Sequence, residues 1–291
     1  MKGVISGKTI VCGIIGDPIE HSMSPVMHNA AFQALGLNYA YVPFKVKSLE
    51  LRKAIEGIRG LNVRGVNVTI PHKVAGMQLL DRIDPLAEKI GAVNTIVNDG
   101  GILTGYNTDA AGFLQVLHER SIELEGKRVL LLGAGGAAHS IGNVLAAENA
   151  KLVILNREQK ISTLKDLAQR LAQSYGAEVK VEELTDENLK KAITDVDIMV
   201  NATSLGMSPD NDQTPVPAEL LHANLTVFDI IYNPLPTRLL REAKAAGAMT
   251  IDGLEMLVQQ GAVSFEKWTG KQAPVDIMRK SVESILRRNE K

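Results

Sequence analysis

One segment constrains this chain more than any other. Leu130-Leu131-Leu132 runs without a polar residue into Gly133-Ala134-Gly135-Gly136-Ala137-Ala138, a strand that breaks into glycines and resumes as a helix. Such a turn lets backbone N–H groups approach an anionic group closely and seats that group on the positive end of the helix. The same spacing also suits a plain strand-to-helix turn that holds nothing, so context decides. The next apolar run ends at Leu155-Asn156-Arg157-Glu158, about 23 residues beyond Gly133, where dinucleotide-binding folds place the group that reads the adenosine ribose. An acid there favours the free 2′-hydroxyl of NAD, and an arginine favours the 2′-phosphate of NADP. Here Arg157 and Glu158 stand side by side. At an effective dielectric near 20 and ~6 Å each charge is worth ~3 kcal/mol, so the two nearly offset and side-chain direction decides.

Short apolar runs alternate with helix-period stretches on both sides of this segment. Thr9–Ile14, Tyr39–Phe44 and Gly65–Ile70 read as strands, with Pro25–Leu35 and Leu49–Arg59 as helices between them. A second series of strands follows at Arg128–Leu132, Leu152–Asn156, Val179–Val181, Ile198–Asn201, Val227–Ile231 and Met249–Ile251. This is α/β patterning around mostly parallel sheets. With 291 residues, 45% of them apolar, two cores are expected. Residues 1–110 form an α/β substrate domain and 111–253 a Rossmann-like, doubly wound domain, with a cleft between them. Residues 254–291 read as two helices, Glu255–Thr269 and Pro274–Arg288.

Polar residues gather in four places in the first domain. In Ser22-Met23-Ser24-Pro25 the serines share one side of an extended segment, and Ser24 before Pro25 fits an N-cap. In Val66-Asn67-Val68-Thr69-Ile70-Pro71-His72-Lys73, Asn67 and Thr69 share a parity at the carboxyl end of a strand, the end at which α/β sheets bind ligands. Lys73 follows at once; its ordinary reading is a solvated loop lysine. His72 is read as a packing or orienting residue. Asn94, in Gly91-Ala92-Val93-Asn94-Thr95, reads by itself as a turn residue. Asp109 fits the first turn of a helix capped by Thr108, and the small residues Ala110-Ala111-Gly112 imply a close neighbour.

Together these segments resemble the shikimate dehydrogenase family over nearly the whole chain and in the family's order. To those already quoted are added Val26-Met27-His28-Asn29, Asp229-Ile230-Ile231-Tyr232-Asn233-Pro234 and Gly253-Leu254-Glu255-Met256-Leu257-Val258-Gln259-Gln260. The resemblance implies an NADP-dependent enzyme that reversibly reduces 3-dehydroshikimate to shikimate on the route to chorismate and the aromatic amino acids. It implies that Ser22 and Ser24 bind the substrate carboxylate, that Asn67, Thr69, Asn94, Asp109 and Gln260 hold ring hydroxyls, and that Tyr232 lines the site. Lys73 and Asp109 are implied as the catalytic pair. On the cofactor side it implies Gly133, Ala134, Gly135, Gly136, Ala137, Asn156, Arg157, Glu158, Ile230 and Gly253, and it returns the C-terminal helices to the first domain. The chemistry is coherent, since a ring ketone reduced by hydride needs a proton for the developing alkoxide, and an ammonium supplies both charge and proton.

The chain also departs from the family. NADP-dependent members commonly follow Asn-Arg with threonine and place another arginine three positions later; here those positions are Glu158 and Ile161. That keeps open an NAD-tolerant quinate/shikimate branch, although Arg157 favours NADP. A non-catalytic dinucleotide-binding sensor is the rival from another class, and Lys73 with Asp109 speaks against it.

Composition narrows the rest. Lys plus Arg (32) and Asp plus Glu (33) nearly cancel and aromatic content is 4%, so nucleic acid is not an expected partner. The longest apolar stretch is interrupted by polar residues, so no membrane span is expected. A single cysteine, Cys12, and no recognisable secretion signal point to the cytoplasm. The six histidines lack metal-ligand spacing, so no metal is expected. The expected partner is the small-molecule substrate, bound by a monomer or a homodimer.

Overall fold

The computed structural model describes residues 5–289; residues 1–4, 290 and 291 of the outermost segments lie outside the described residues. The chain forms two compact units, one that ends at Gly112 and resumes at Leu257, and the other Phe113–Met256.

The first unit opens with β1 (Ile10–Gly16), α1 (Ser24–Ala34), β2 (Tyr39–Lys45), α2 (Leu51–Gly60) and β3 (Gly65–Val68). It continues through β4 (Arg82–Ile83), α3 (Pro85–Ile90), β5 (Thr95–Asp99), β6 (Ile102–Tyr106) and the start of α4 (Thr108–Glu119). The apolar run of β1 lies between β2 and β3 and is parallel to both. In α2, Leu51, Ile55 and Ile58 recur at helical spacing and are buried, while Arg52, Lys53 and Glu56 face solvent. Each such burial is worth roughly 1.5–3 kcal/mol and fixes the helix against the sheet.

The sheet order is β2-β1-β3-β5-β6-β4, and β5 is antiparallel to both of its neighbours. The sheet is mostly parallel, as the alternation leads one to expect, with β5 alone running against the other five strands. Thr95–Asp99 and Ile102–Tyr106 are joined by Gly100-Gly101 alone, a two-residue loop that permits only a hairpin. The strand expected over Gly65–Ile70 is regular over Gly65–Val68, and two further bonds, Thr69 N–H to Ile15 O and Asp17 N–H to Ile70 O, both at 3.0 Å, carry its contact with the first-strand segment up to Pro71.

The second unit holds β7 (Arg128–Leu132), α5 (Gly136–Ala147), β8 (Lys151–Asn156), α6 (Ile161–Tyr175), β9 (Val179–Glu183) and α7 (Asp186–Thr194). β10 (Ile198–Asn201), β11 (Thr226–Asp229), α8 (Arg238–Ala245) and β12 (Met249–Ile251) complete it. All six strands run parallel in the order β12-β11-β10-β7-β8-β9, as the alternation predicts. The strand order reverses between β7 and β10, and ligands of doubly wound sheets bind beyond the carboxyl ends of the strands at that reversal.

The chain ends in α9 (Gly253–Thr269) and α10 (Val275–Asn289). Within the first unit α10 packs on α1. Trp268 of α9 donates its indole N–H to Ile96 O at 3.0 Å, and Arg64 Nε donates to Trp268 O at 2.9 Å. Among the described residues no helix is long and apolar enough to cross a membrane.

Candidate active site

Lys73 is tied to the hairpin side of the first unit, its carbonyl accepting Val93 N–H at 2.9 Å. Its side chain does not take the ordinary course into solvent. Nζ lies 2.5 Å from Asp109 Oδ2, with 15% and 9% of the two side chains exposed. Asp109 occupies the first turn of α4. That helix is capped not by Thr108, as the sequence suggests, but by Asn107, whose Oδ1 accepts Ala110 N–H at 3.2 Å. Thr108 is already helical, and its hydroxyl is drawn into a buried network instead.

Asn94 is the hub of that network rather than a simple turn residue. Its Oδ1 accepts the backbone N–H of Thr108 at 2.7 Å. That partner can only donate, so the amide cannot flip, and Nδ2 must face Asp109 Oδ1 at 2.9 Å and Thr108 Oγ1 at 3.0 Å. Asp109 thus gives one oxygen to an amide and the other to an ammonium. Gln260 of α9 brings Oε1 to 3.4 Å from Asn94 Nδ2. The helix comes this near because residue 112 is glycine: a Cβ there would stand 2.8 Å from the backbone nitrogen of Gln260.

The hydroxyls of Thr95 and Ser264, which the sequence did not single out, complete the cluster with that of Thr108. Thr95 and Ser264 lie 2.8 Å apart, Thr108 and Ser264 3.1 Å, and Thr95 and Thr108 3.3 Å, all fully buried. The available signal was that Ser264 follows Gln260 by one helical turn. Asn67 Nδ2 donates to Thr95 Oγ1 at 3.0 Å and Ser264 Oγ at 3.1 Å, and Tyr41 OH donates to Asn67 Oδ1 at 2.6 Å. Tyr41 stacks on His28, whose imidazole burial among aromatic rings pushes down to about 3.

Thr69 lies just past the end of β3, half-buried, and its N–H on Ile15 O at 3.0 Å carries the pairing with β1 one residue further. His72 is buried with Nε2 2.6 Å from Val46 O, a packing role as expected. Ser24 does not cap α1. It is the first helical residue, Met23 occupies the cap position without a side-chain bond, and a helical backbone cannot adopt the N-cap geometry. Ser22 Oγ accepts Ser24 N–H at 3.3 Å, and among the described residues the hydroxyl of the buried Ser24 makes no hydrogen bond.

In the second unit α5 starts at Gly136 behind an extended Gly135, and no side chain caps it. The N–H groups of its first turn are therefore open to an anion. Gly133 has φ +126°, and a Cβ on it would stand 2.6 Å from Ala202 O, so the turn accepts only glycine. Ala134, Gly136 and Ala137 are half-buried and Gly135 is exposed. At the end of β8, Asn156 Oδ1 accepts Arg157 N–H at 2.7 Å. Arg157 and Glu158 are both exposed, and among the described residues no ion pair joins them. Ile230 and Tyr232 follow β11, both half-buried. Gly253 donates its N–H to Ile231 O at 3.3 Å, and a Cβ on it would overlap the Ile230 carbonyl. Asp229, buried beside them, was not anticipated. Burial pushes its carboxyl up to about 6 against the opposing hydrogen bonds of Thr237, Ile231 and Asn201, with Asp252 adding to the rise. No group of three or more His, Cys, Asp or Glu among the described residues is placed to hold a metal.

Three family models match the chain. They are the shikimate dehydrogenase substrate binding domain over residues 14–96, shikimate / quinate 5-dehydrogenase over 115–231, and the shikimate 5′-dehydrogenase C-terminal domain over 253–283. A shikimate dehydrogenase (NADP+) of Methanosarcina acetivorans is 47% identical over 280 residues, covering 95% of this chain and 98% of that protein. A crystal structure of shikimate dehydrogenase in complex with NADP+ has a TM-score of 0.91 at 42% identity, covering 98% of this chain and 99% of that one. The shikimate 5-dehydrogenase of Listeria monocytogenes, in complex with shikimate and NAD, has a TM-score of 0.88 at 39% identity, with the same coverage of 98% and 99%.

Proposed function

This chain belongs to the shikimate dehydrogenase family, and on that premise we propose that it reversibly reduces 3-dehydroshikimate to shikimate with NADPH. The observation that carries the reading is the Lys73–Asp109 contact of 2.5 Å, nearly closed to solvent. Its setting is the biosynthetic route to chorismate in the cytoplasm.

The glycine turn fits a dinucleotide: the uncapped start of α5 offers N–H groups to the pyrophosphate, and at Gly133 no side chain has room. Gly135, Gly136, Ala134 and Ala137 surround that anion, while Asn156, Ile230 and Gly253 bound the rest of the site. Arg157, unpaired with Glu158, is available to the 2′-phosphate, which favours NADP. A nicotinamide held there would supply the hydride that the reduction needs. Lys73 Nζ donates a proton to the developing alkoxide, and Asp109 Oδ2 holds that ammonium in place. Asn94 fixes the carboxylate so that Oδ2 stays turned to Lys73. In the reverse direction Nζ takes the hydroxyl proton, so alcohol oxidation releases a proton and rises toward alkaline pH.

Ser24, with an unengaged hydroxyl, and Ser22 bind the ring carboxylate. Thr69, Asn67, Asn94 and Gln260 hold ring hydroxyls, and Tyr232 lines the substrate site. The NAD-tolerant quinate/shikimate reading rests on Glu158 and Ile161. Steady-state oxidation of shikimate and quinate with NADP+ and NAD+ tests both. Preference for shikimate with NADP+, abolished in Lys73→Ala with substrate still bound, is the expected result. Equal use of quinate with NAD+ would move the chain to the second reading, and intact turnover in the variant would remove Lys73 from the chemistry.

A further inference from the structure

Asp229 is a buried carboxylate that the reduction does not use. It ends β11, and it is wholly inaccessible, as are Asn201 at the end of β10 and Thr237 ahead of α8. Oδ1 accepts Asn201 Nδ2 at 3.0 Å and Ile231 N–H at 3.2 Å; Oδ2 accepts Thr237 Oγ1 at 2.7 Å. Each donor governs a different piece of backbone. Asn201 Oδ1 receives the N–H of Thr203 at 3.1 Å and its hydroxyl at 2.7 Å, fixing the segment after β10. The carbonyl of Ile231 receives Gly253 N–H, and Thr237 caps α8 by accepting Leu240 N–H at 3.3 Å.

The two pieces joined through Asp229 are the ones on which the glycines of the dinucleotide site rest. Gly133 abuts the carbonyl of Ala202, the residue after Asn201, and Gly253 abuts the carbonyl of Ile230, the residue after Asp229. We propose that Asp229 is a positioning residue for dinucleotide binding, its ionised carboxylate setting the spacing between the ends of β10 and β11 that support Gly133 and Gly253. The inference rests on the dinucleotide reading above.

The ionised form is the one that fits, because all three partners donate to it. A protonated acid or an amide brings a hydrogen of its own against the Thr237 hydroxyl, which must then turn away while still capping α8. No neighbouring charge makes up the loss. Asp252 is a second carboxylate, Arg238 is held by Glu242 and Asp212 O, and Arg241 donates to Pro236 O.

The test is calorimetric titration of NADP+ into the full chain and into Asp229→Asn between about pH 5.5 and about pH 8, with melting midpoints recorded without ligand. The expected result is an affinity about tenfold weaker for the variant at the alkaline end, a ratio that closes toward one at the acid end, and an alkaline melting midpoint no lower than the parent's. Taking the ratio cancels any titration of the ligand itself. Thr237→Val, which keeps the charge and removes one donor, should give a smaller loss of the same kind and serves where Asp229→Asn does not fold. Equal affinities at about pH 8, or a ratio constant with pH, would overturn the proposal. Loss of NADP+ binding in Gly133→Ala but not in Asp229→Asn would overturn it while leaving the site reading intact. Absence of binding by the parent chain would overturn both.

Discussion

Each unit buries a carboxylate, and the two treat it in opposite ways. Asp109 faces an ammonium at 2.5 Å, and its other oxygen is held by an amide whose direction is fixed. Asp229 has three neutral donors and no cation among its partners. The first arrangement keeps a mobile proton beside a counter-charge, which suits acid–base work; the second commits both carboxylate oxygens to donors that hold backbone in place. The contrast extends to the rest of each unit. The first presents side chains, amides and hydroxyls joined in one network, whereas the second presents bare backbone, an uncapped helix end and glycines that leave room. Chemistry is carried by what side chains add, and cofactor binding by what they omit.

The largest effect should come from removing the charge that defines the first arrangement. Lys73→Ala is expected to lower kcat by roughly 10²–10⁴-fold, the usual worth of a positioned general acid, while shikimate still binds. Equilibrium binding beside single-turnover rates checks this, and a loss confined to KM would make Lys73 a binding residue only. Next comes Gly133→Ala, which puts a methyl group 2.6 Å from Ala202 O on a backbone with φ +126°. NADP+ affinity should fall by roughly 100-fold with shikimate affinity unchanged, as a backbone-built site predicts. A variant that binds NADP+ normally would show that the turn does not touch the cofactor.

The same contrast explains what the sequence made legible. A site built from missing side chains announces itself in glycines at fixed spacing, so the turn at Gly133 and the parallel sheet around it were readable from residue order. The network around Asp109 was not, because its members come from β3, β5, α4 and α9. Asn94 reads as a turn residue until Thr108, fourteen positions on, supplies the N–H that fixes its amide. Ser264 looks like an ordinary helix residue, and nothing local marks Thr95 as a member of a network. The hairpin of Thr95–Asp99 and Ile102–Tyr106 is legible only through its Gly100-Gly101 turn, since both strands are short and interrupted by polar residues or glycine. Asp229 was quoted as part of a motif, but a sequence carries no sign that a carboxylate will lack a counter-ion.

That missing counter-ion gives a pH signature. The carboxyl of Asp229 is raised in the fold from 3.8 to about 6, so the folded chain binds its proton more tightly than the unfolded one. The resulting stability is fully present below the unfolded value and is lost as pH rises through about 6, a change of roughly 3 kcal/mol. Denaturant unfolding of the parent and Asp229→Asn across this range should show the variant gaining relative stability as pH rises. A difference independent of pH would mean that the carboxyl titrates normally.

The smallest predicted effect tests whether the two units work independently. Ser264→Ala removes one corner of the hydroxyl triangle but orphans no donor. Asn67 Nδ2 keeps Thr95 Oγ1 at 3.0 Å and Asn94 O at 3.2 Å, while Thr95 and Thr108 can each turn to Asn94 Oδ1, at 3.1 Å and 3.2 Å. The expected cost is therefore that of a net hydrogen bond, about 1 kcal/mol of stability, with a few-fold rise in KM for shikimate as Asn67 and Gln260 gain freedom. NADP+ affinity should not move, because every bond of Ser264 lies within the first unit. If calorimetry instead finds NADP+ binding weakened as much as shikimate binding, α9, which carries both Gly253 and Ser264, transmits strain from one site to the other, and the separation of side-chain chemistry from backbone binding fails at that helix.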